Sequence, residues 1–103
     1  MKSVEFYCYY KIDLEKLKLY REMAAEISEF FLKHPGCHSY QFLIGVDPER
    51  KSTVMERGSF DSVEDYQKIK REIENEFSAL FKIFDKIIEG GLTARMFEFF
   101  TRL

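Results

Sequence analysis

The chain has 103 residues, 46% of them hydrophobic and 33% charged, which fits a single domain over residues 1–103 with one core. Its 16 Lys plus Arg against 18 Asp plus Glu leave a net charge of −2 with neither sign gathered into a block, an arrangement that argues against nucleic acid and against a polybasic membrane contact. No apolar run approaches the ~20 residues that span a bilayer, and Met1–Glu5 opens onto strand-like sequence without a signal-peptide pattern, so a cytoplasmic location is expected.

Val4 to Tyr10 is rich in β-formers and reads as a first strand, with Val4, Phe6, Cys8 and Tyr10 on one face and Tyr7 and Tyr9 on the other. From Leu14 to Lys33 the apolar period becomes 3.6, capped by Asp13 and stopped by His34-Pro35-Gly36. His34 there is expected to complement the helix C-terminus. Cys37 to Val46 is a second strand, Asp47 to Lys51 a polar turn, and Ser52 to Phe60 a third strand. Asp61-Ser62, with Asp65 three residues on, caps a helical pattern that runs to Glu89, as one helix or as two joined near Asn75. Gly90-Gly91 ends it, and Leu92 to Phe100 is the last strand. The order predicts an α+β, ferredoxin-like βαββαβ sandwich with an antiparallel sheet covered by helices on one face.

Eleven Phe and six Tyr with no Trp exceed what one thin core needs, so a partner subunit or a ligand cavity is expected to take up the rest. The last strand carries apolar groups on both faces. Five or six of them left in water would forfeit roughly 1.5 to 3 kcal/mol each, a large share of a small domain's stability. A homodimer closing sheet on sheet avoids that loss. Cys8 and Cys37 form no disulfide framework and read as small buried hydrophobes, and no His, Cys or acidic spacing suits a metal ion. Gly90-Gly91 lacks the spacing of a phosphate loop.

Two segments, His34-Pro35-Gly36-Cys37-His38-Ser39-Tyr40-Gln41-Phe42-Leu43 and Met55-Glu56-Arg57-Gly58-Ser59-Phe60-Asp61-Ser62-Val63-Glu64-Asp65-Tyr66, resemble the antibiotic biosynthesis monooxygenase-like family of the dimeric α+β barrel superfamily. The first is similar to that family's passage from helix one into strand two, the second to its strand-three Glu and entry to helix two. The resemblance implies a dimeric α+β barrel with a cavity between sheet and helices in each subunit. It also implies, for some members, oxygenation of phenolic compounds without metal or prosthetic group. Two positions depart from the family: Phe60 stands where Trp is usual, and Ile69 where His is frequent.

His38, expected by alternation to share a face with Tyr40 and Phe42, is either a general base toward a phenol or a structural histidine. Arg95, in the last strand with Phe97 and Phe99, either pairs with Glu56 or Glu5 or stabilises an anionic intermediate, as an arginine there does in some family members. Tyr7, Tyr9, Tyr40 and Tyr66 bring hydroxyls to apolar surfaces and, with Phe60, are expected to shape a pocket for an aromatic ligand. Glu56 reads as a structural anchor, and Cys37 as packing. The function expected is a cofactor-free monooxygenase-like protein that binds or oxidises a small aromatic or quinol-type molecule. The alternatives are a dimeric ligand-binding or stress-response barrel without turnover, and a purely structural role in which the aromatic excess serves assembly.

Overall fold

The computed structural model describes residues 3–103. In β1 (Val4–Lys11) alternation buries Phe6, Cys8 and Tyr10 and leaves Tyr7 and Tyr9 on the opposite face. Asp13 Oδ1 accepts from the Glu15 N–H (3.1 Å) and opens a short 3₁₀ turn at Leu14–Lys16 that runs into α1 (Leu17–Leu32). The α1 stripe Tyr20, Met23, Ala24, Ile27 and Phe31 is buried against the sheet, as its helical spacing requires.

β2 (Cys37–Ile44) ends two residues earlier than its apolar sequence suggests, and β3 (Thr53–Phe60) follows a 3₁₀ turn at Pro48–Arg50. Ser62 Oγ accepts from the Asp65 N–H (3.1 Å) and caps α2 (Val63–Glu76). The helical stretch breaks at Phe77, where ψ is 39°, and resumes as α3 (Ser78–Ile87); of the two expected arrangements, the jointed one forms.

Gly90 and Gly91, with φ of 81° and 80°, take the left-handed conformation that reverses the chain. Leu92 to Arg95 does not continue as strand, contrary to expectation. The Leu92 N–H is held by Asp85 Oδ1 at 2.7 Å, so Leu92–Ala94 winds as a 3₁₀ turn and β4 begins at Met96, running to Thr101. Arg95 therefore sits just before the strand.

The sheet order is β2-β3-β1-β4, every pair antiparallel. With the helices on one side this is the split βαβ sandwich. The core lies between sheet and helices. On the other face the registers align Leu43, Met55, Tyr9 and Met96 as an apolar row across all four strands. Beside it runs the polar row Gln41, Arg57, Tyr7 and Glu98. Met96 is 59% exposed, Phe100 52% and Leu43 45%, so this face carries the apolar surface expected of it. No helix among the described residues is long and apolar enough to cross a membrane.

Candidate functional site

Glu56 stands on the core row of β3, with Val54, Gly58 and Phe60, and pairs in register with Cys8 on one side and Phe42 on the other. It is 4% exposed and is the only charged residue buried among the described residues. A buried carboxyl is tolerated when its oxygens are bonded. The Tyr10 hydroxyl donates to Oε2 at 2.6 Å, and the Tyr40 hydroxyl donates to Oε1. Tyr10 in turn lies 2.9 Å, hydroxyl to hydroxyl, from Tyr20 on α1.

Packing fixes these rings. Tyr40 stacks on Phe31 at 4.1 Å with planes 6° apart. Gly58 makes room for it, because a Cβ there would meet the Tyr40 ring at 2.8 Å and the Phe60 ring at 2.7 Å. Tyr20 stacks on Phe84 at 5.8 Å.

Beside Glu56 is a small void of about 20 Å³, lined by Tyr40, Glu56, Tyr66, Lys70, Phe81 and Arg95 among others. That is room for roughly one water molecule. The Lys70 ammonium and the Arg95 guanidinium both lie 4.8 Å from the centre of the Phe97 ring, and Arg95 Nε donates to the Leu92 carbonyl at 3.1 Å. Phe97 thus holds two cations at the rim of the void.

Burial raises the Glu56 pKa above the usual carboxylate value, opposed by the Tyr10 and Tyr40 hydrogen bonds and the charges of Arg95 and Lys70. Burial likewise pushes Tyr10, Tyr40, Tyr20 and Tyr66 above the ordinary phenol range, so their hydroxyls stay protonated and able to donate. Cys8 is raised by burial and by the Glu56 charge, and Cys37 is pushed up to about 11 by burial; both remain thiols used in packing.

The residues expected to form one site separate into three places. Tyr40, Tyr66 and Arg95 line the void, and Phe60 packs edge-on behind Tyr66 at 5.3 Å. Tyr7 and Tyr9 are on the uncovered sheet face, so neither reaches the space between sheet and helices. Tyr9 instead lines an open groove of about 410 Å³ with Leu43, Arg50 and Met55. His38 does not share a face with Tyr40 and Phe42. It is the extra residue of a bulge between Cys37 and Ser39, which breaks the alternation. Its ring is half exposed and bonds Asp61 Oδ1 at 2.5 Å. His34 closes the end of α1 through the Phe30 carbonyl (3.0 Å) and reaches Glu72 (2.7 Å).

Glu56, read from the sequence as a structural anchor, is held by two core tyrosines, and Tyr10, Tyr20 and Lys70 around it were not singled out by sequence reasoning. One signal was legible: a lone acid in the row Val54, Glu56, Gly58, Phe60. Among the described residues no group of three His, Cys, Asp or Glu side chains is placed to hold a metal ion.

No family model and no curated protein matches the sequence. Solved structures do match over nearly the whole chain. A conserved protein from Methanosarcina mazei has a TM-score of 0.82 at 13% identity, covering 100% of this chain and 95% of its own. A Nitrosomonas europaea protein proposed to be an antibiotic biosynthesis monooxygenase gives 0.80 at 11%, covering 98% and 90%. A variant of SnoaB, a cofactor-independent oxygenase from Streptomyces nogalater, gives 0.75 at 11%, covering 99% and 94%. The chain has the antibiotic biosynthesis monooxygenase-like fold. At these identities the likeness establishes the fold, and the chemistry has to be argued from the residues.

Proposed function

We propose that this monooxygenase-like chain binds a small, electron-rich aromatic molecule at the Glu56 void and oxidises it without a cofactor, Arg95 stabilising its anion and Glu56 handling its proton. The observation that carries this reading is the one carboxyl buried among the described residues, bonded by Tyr10 and Tyr40 and lining a void that Lys70 and Arg95 also line. The fold shared with SnoaB supports it by analogy.

In such a reaction the substrate supplies the electrons. An anthrone-type methylene loses a proton to the Glu56 carboxylate, and the anion is held against Arg95 and Lys70. The anion passes electrons to dioxygen. One oxygen atom becomes the new ketone oxygen and the other leaves as water, so R₂CH₂ and O₂ give R₂C=O and H₂O. A raised pKa suits Glu56 to taking the first proton and returning one to the departing oxygen. Admitting a ring requires the rim at Phe97, itself 38% exposed, to move outward. The uncovered sheet face, with its row of Leu43, Met55, Tyr9 and Met96, would be closed by a second copy.

The test is oxygen uptake with a panel of anthrones and hydroquinones. Uptake matched to ketone or quinone formation, reduced about a hundredfold in Arg95→Ala, supports the reading. No uptake across the panel, or uptake indifferent to both Arg95→Ala and Glu56→Gln, overturns it. One observation favours a second reading: a void of about 20 Å³ is smaller than a ring, as expected of a structural role in which the aromatic excess serves assembly. Tight capture of an apolar molecule without product would instead select a ligand-binding barrel without turnover.

A further inference from the structure

The hydroxyl contacts around Glu56 are asymmetric. Tyr40 donates to Oε1 and makes no second hydroxyl hydrogen bond among the described residues. Tyr10 donates to Oε2 at 2.6 Å, and behind it stands Tyr20 at 2.9 Å. Tyr20 in turn lines a groove of about 340 Å³ between α1 and β2, on the outside of the domain, with Leu17, Ala24, Ser28 and Phe42. One line of hydroxyls therefore runs from the Glu56 carboxyl to Tyr20, a residue that lines this surface groove, and it crosses from β3 through β1 to α1.

We propose that Tyr20 and Tyr10 form a relay that carries protons between this groove and the Glu56 carboxyl. The inference rests on the reading of Glu56 as the proton-handling group, but the relay itself needs no substrate. In the inward direction a hydronium ion or buffer acid in the groove gives a proton to the Tyr20 oxygen, leaving water or the conjugate base there, as Tyr20 gives its own to Tyr10 and Tyr10 gives its own to Oε2. Each tyrosine loses one O–H bond and gains one, the carboxylate becomes a carboxylic acid, and no electrons change hands. The resting donor direction, Tyr10 to Glu56, already points this way. Tyr40 is not part of this line, because no second hydroxyl is bonded to its oxygen among the described residues.

The groups facing this line are Cys8, Tyr66, Lys70 and Arg95. The two cations hold the carboxylate form within reach of a proton, while the thiol and the phenol of Tyr66 stay neutral. Tyr20 and Tyr10 are thus positioning residues, acting on a reaction through Glu56.

The experiment follows hydroxyl-proton exchange with solvent at Tyr10 and Tyr40 by NMR of protein labelled with carbon-13 at the tyrosine Cζ, in mixed light and heavy water, with Tyr→Phe variants for assignment. Both hydroxyls are buried on the same carboxyl, so Tyr40 is the internal control. The relay predicts that Tyr10 exchanges about tenfold or more faster than Tyr40, with a rate indifferent to low urea, because no opening of the fold is needed. It also predicts that Tyr20→Phe slows Tyr10 to the Tyr40 rate. Equal rates in the wild-type protein that rise together with urea, or a Tyr10 rate unchanged by Tyr20→Phe, overturn it. The wild-type comparison decides the matter even if the variant does not fold. Failure of the oxygen-uptake panel would leave this result standing, and failure here would leave oxygen uptake to be explained by another proton path.

Discussion

A carboxyl group 4% exposed in an aromatic core keeps its place only with both oxygens bonded, and Tyr10 and Tyr40 supply one hydroxyl to each oxygen of Glu56. The pH consequence follows from the raised pKa. Between the unfolded carboxylate value and the higher folded one, the folded state keeps a proton that the unfolded state releases. Stability therefore falls as pH rises through that window. Denaturant titrations across the acid to neutral range should show this decline in the wild-type protein and its loss in Glu56→Gln; equal slopes in both would show that Glu56 does not titrate in this way. Gly58 is the second sensitive position. Gly58→Ala drives a Cβ into the Tyr40 and Phe60 rings at 2.8 and 2.7 Å, and a loss of about 1–3 kcal/mol in chemical unfolding is expected.

At the scale of the element, the strands and helices follow from periodicity, and the departures have local causes. The bulge at Cys37/Ser39 inserts one residue and turns His38 outward, where strict alternation directs it inward. The hydrogen bond from Leu92 to Asp85 winds a turn where apolar composition reads as strand. Neither is legible without the partner residue. The lone acid at Glu56 could be seen in its strand, but its meeting with Tyr10 and Tyr20 depends on how α1 crosses β1. The cap of α2 was legible, and it matters because α2 carries Tyr66 and Lys70 to the void. Ser62→Ala removes the bond to the Asp65 N–H and should cost about 1 kcal/mol, read as a lowered melting temperature.

At the scale of the whole molecule, one face of the sheet builds a core and the other carries an apolar row. Leu43, Met55, Tyr9 and Met96 lie side by side, and a charge in that row would be stranded if two copies close over it. Met55→Glu is expected to shift sedimentation from dimer to monomer; a wild-type protein that sediments as a monomer at all concentrations would contradict the sheet-on-sheet assembly. Because Tyr7 and Tyr9 face that side, substitutions there should alter assembly, while the chemistry should respond to the Glu56 side.

The proposed function requires an aromatic molecule to bind at the Glu56 void. The most direct measurement is an NMR titration of the protein with a soluble anthrone, following labelled tyrosine and phenylalanine rings. Saturable shifts at Tyr40, Tyr66 and Phe97, abolished in Arg95→Ala while Tyr7 and Tyr9 stay unmoved, are the predicted result. Shifts confined to Tyr9 and its groove, or none at saturating ligand, would contradict it.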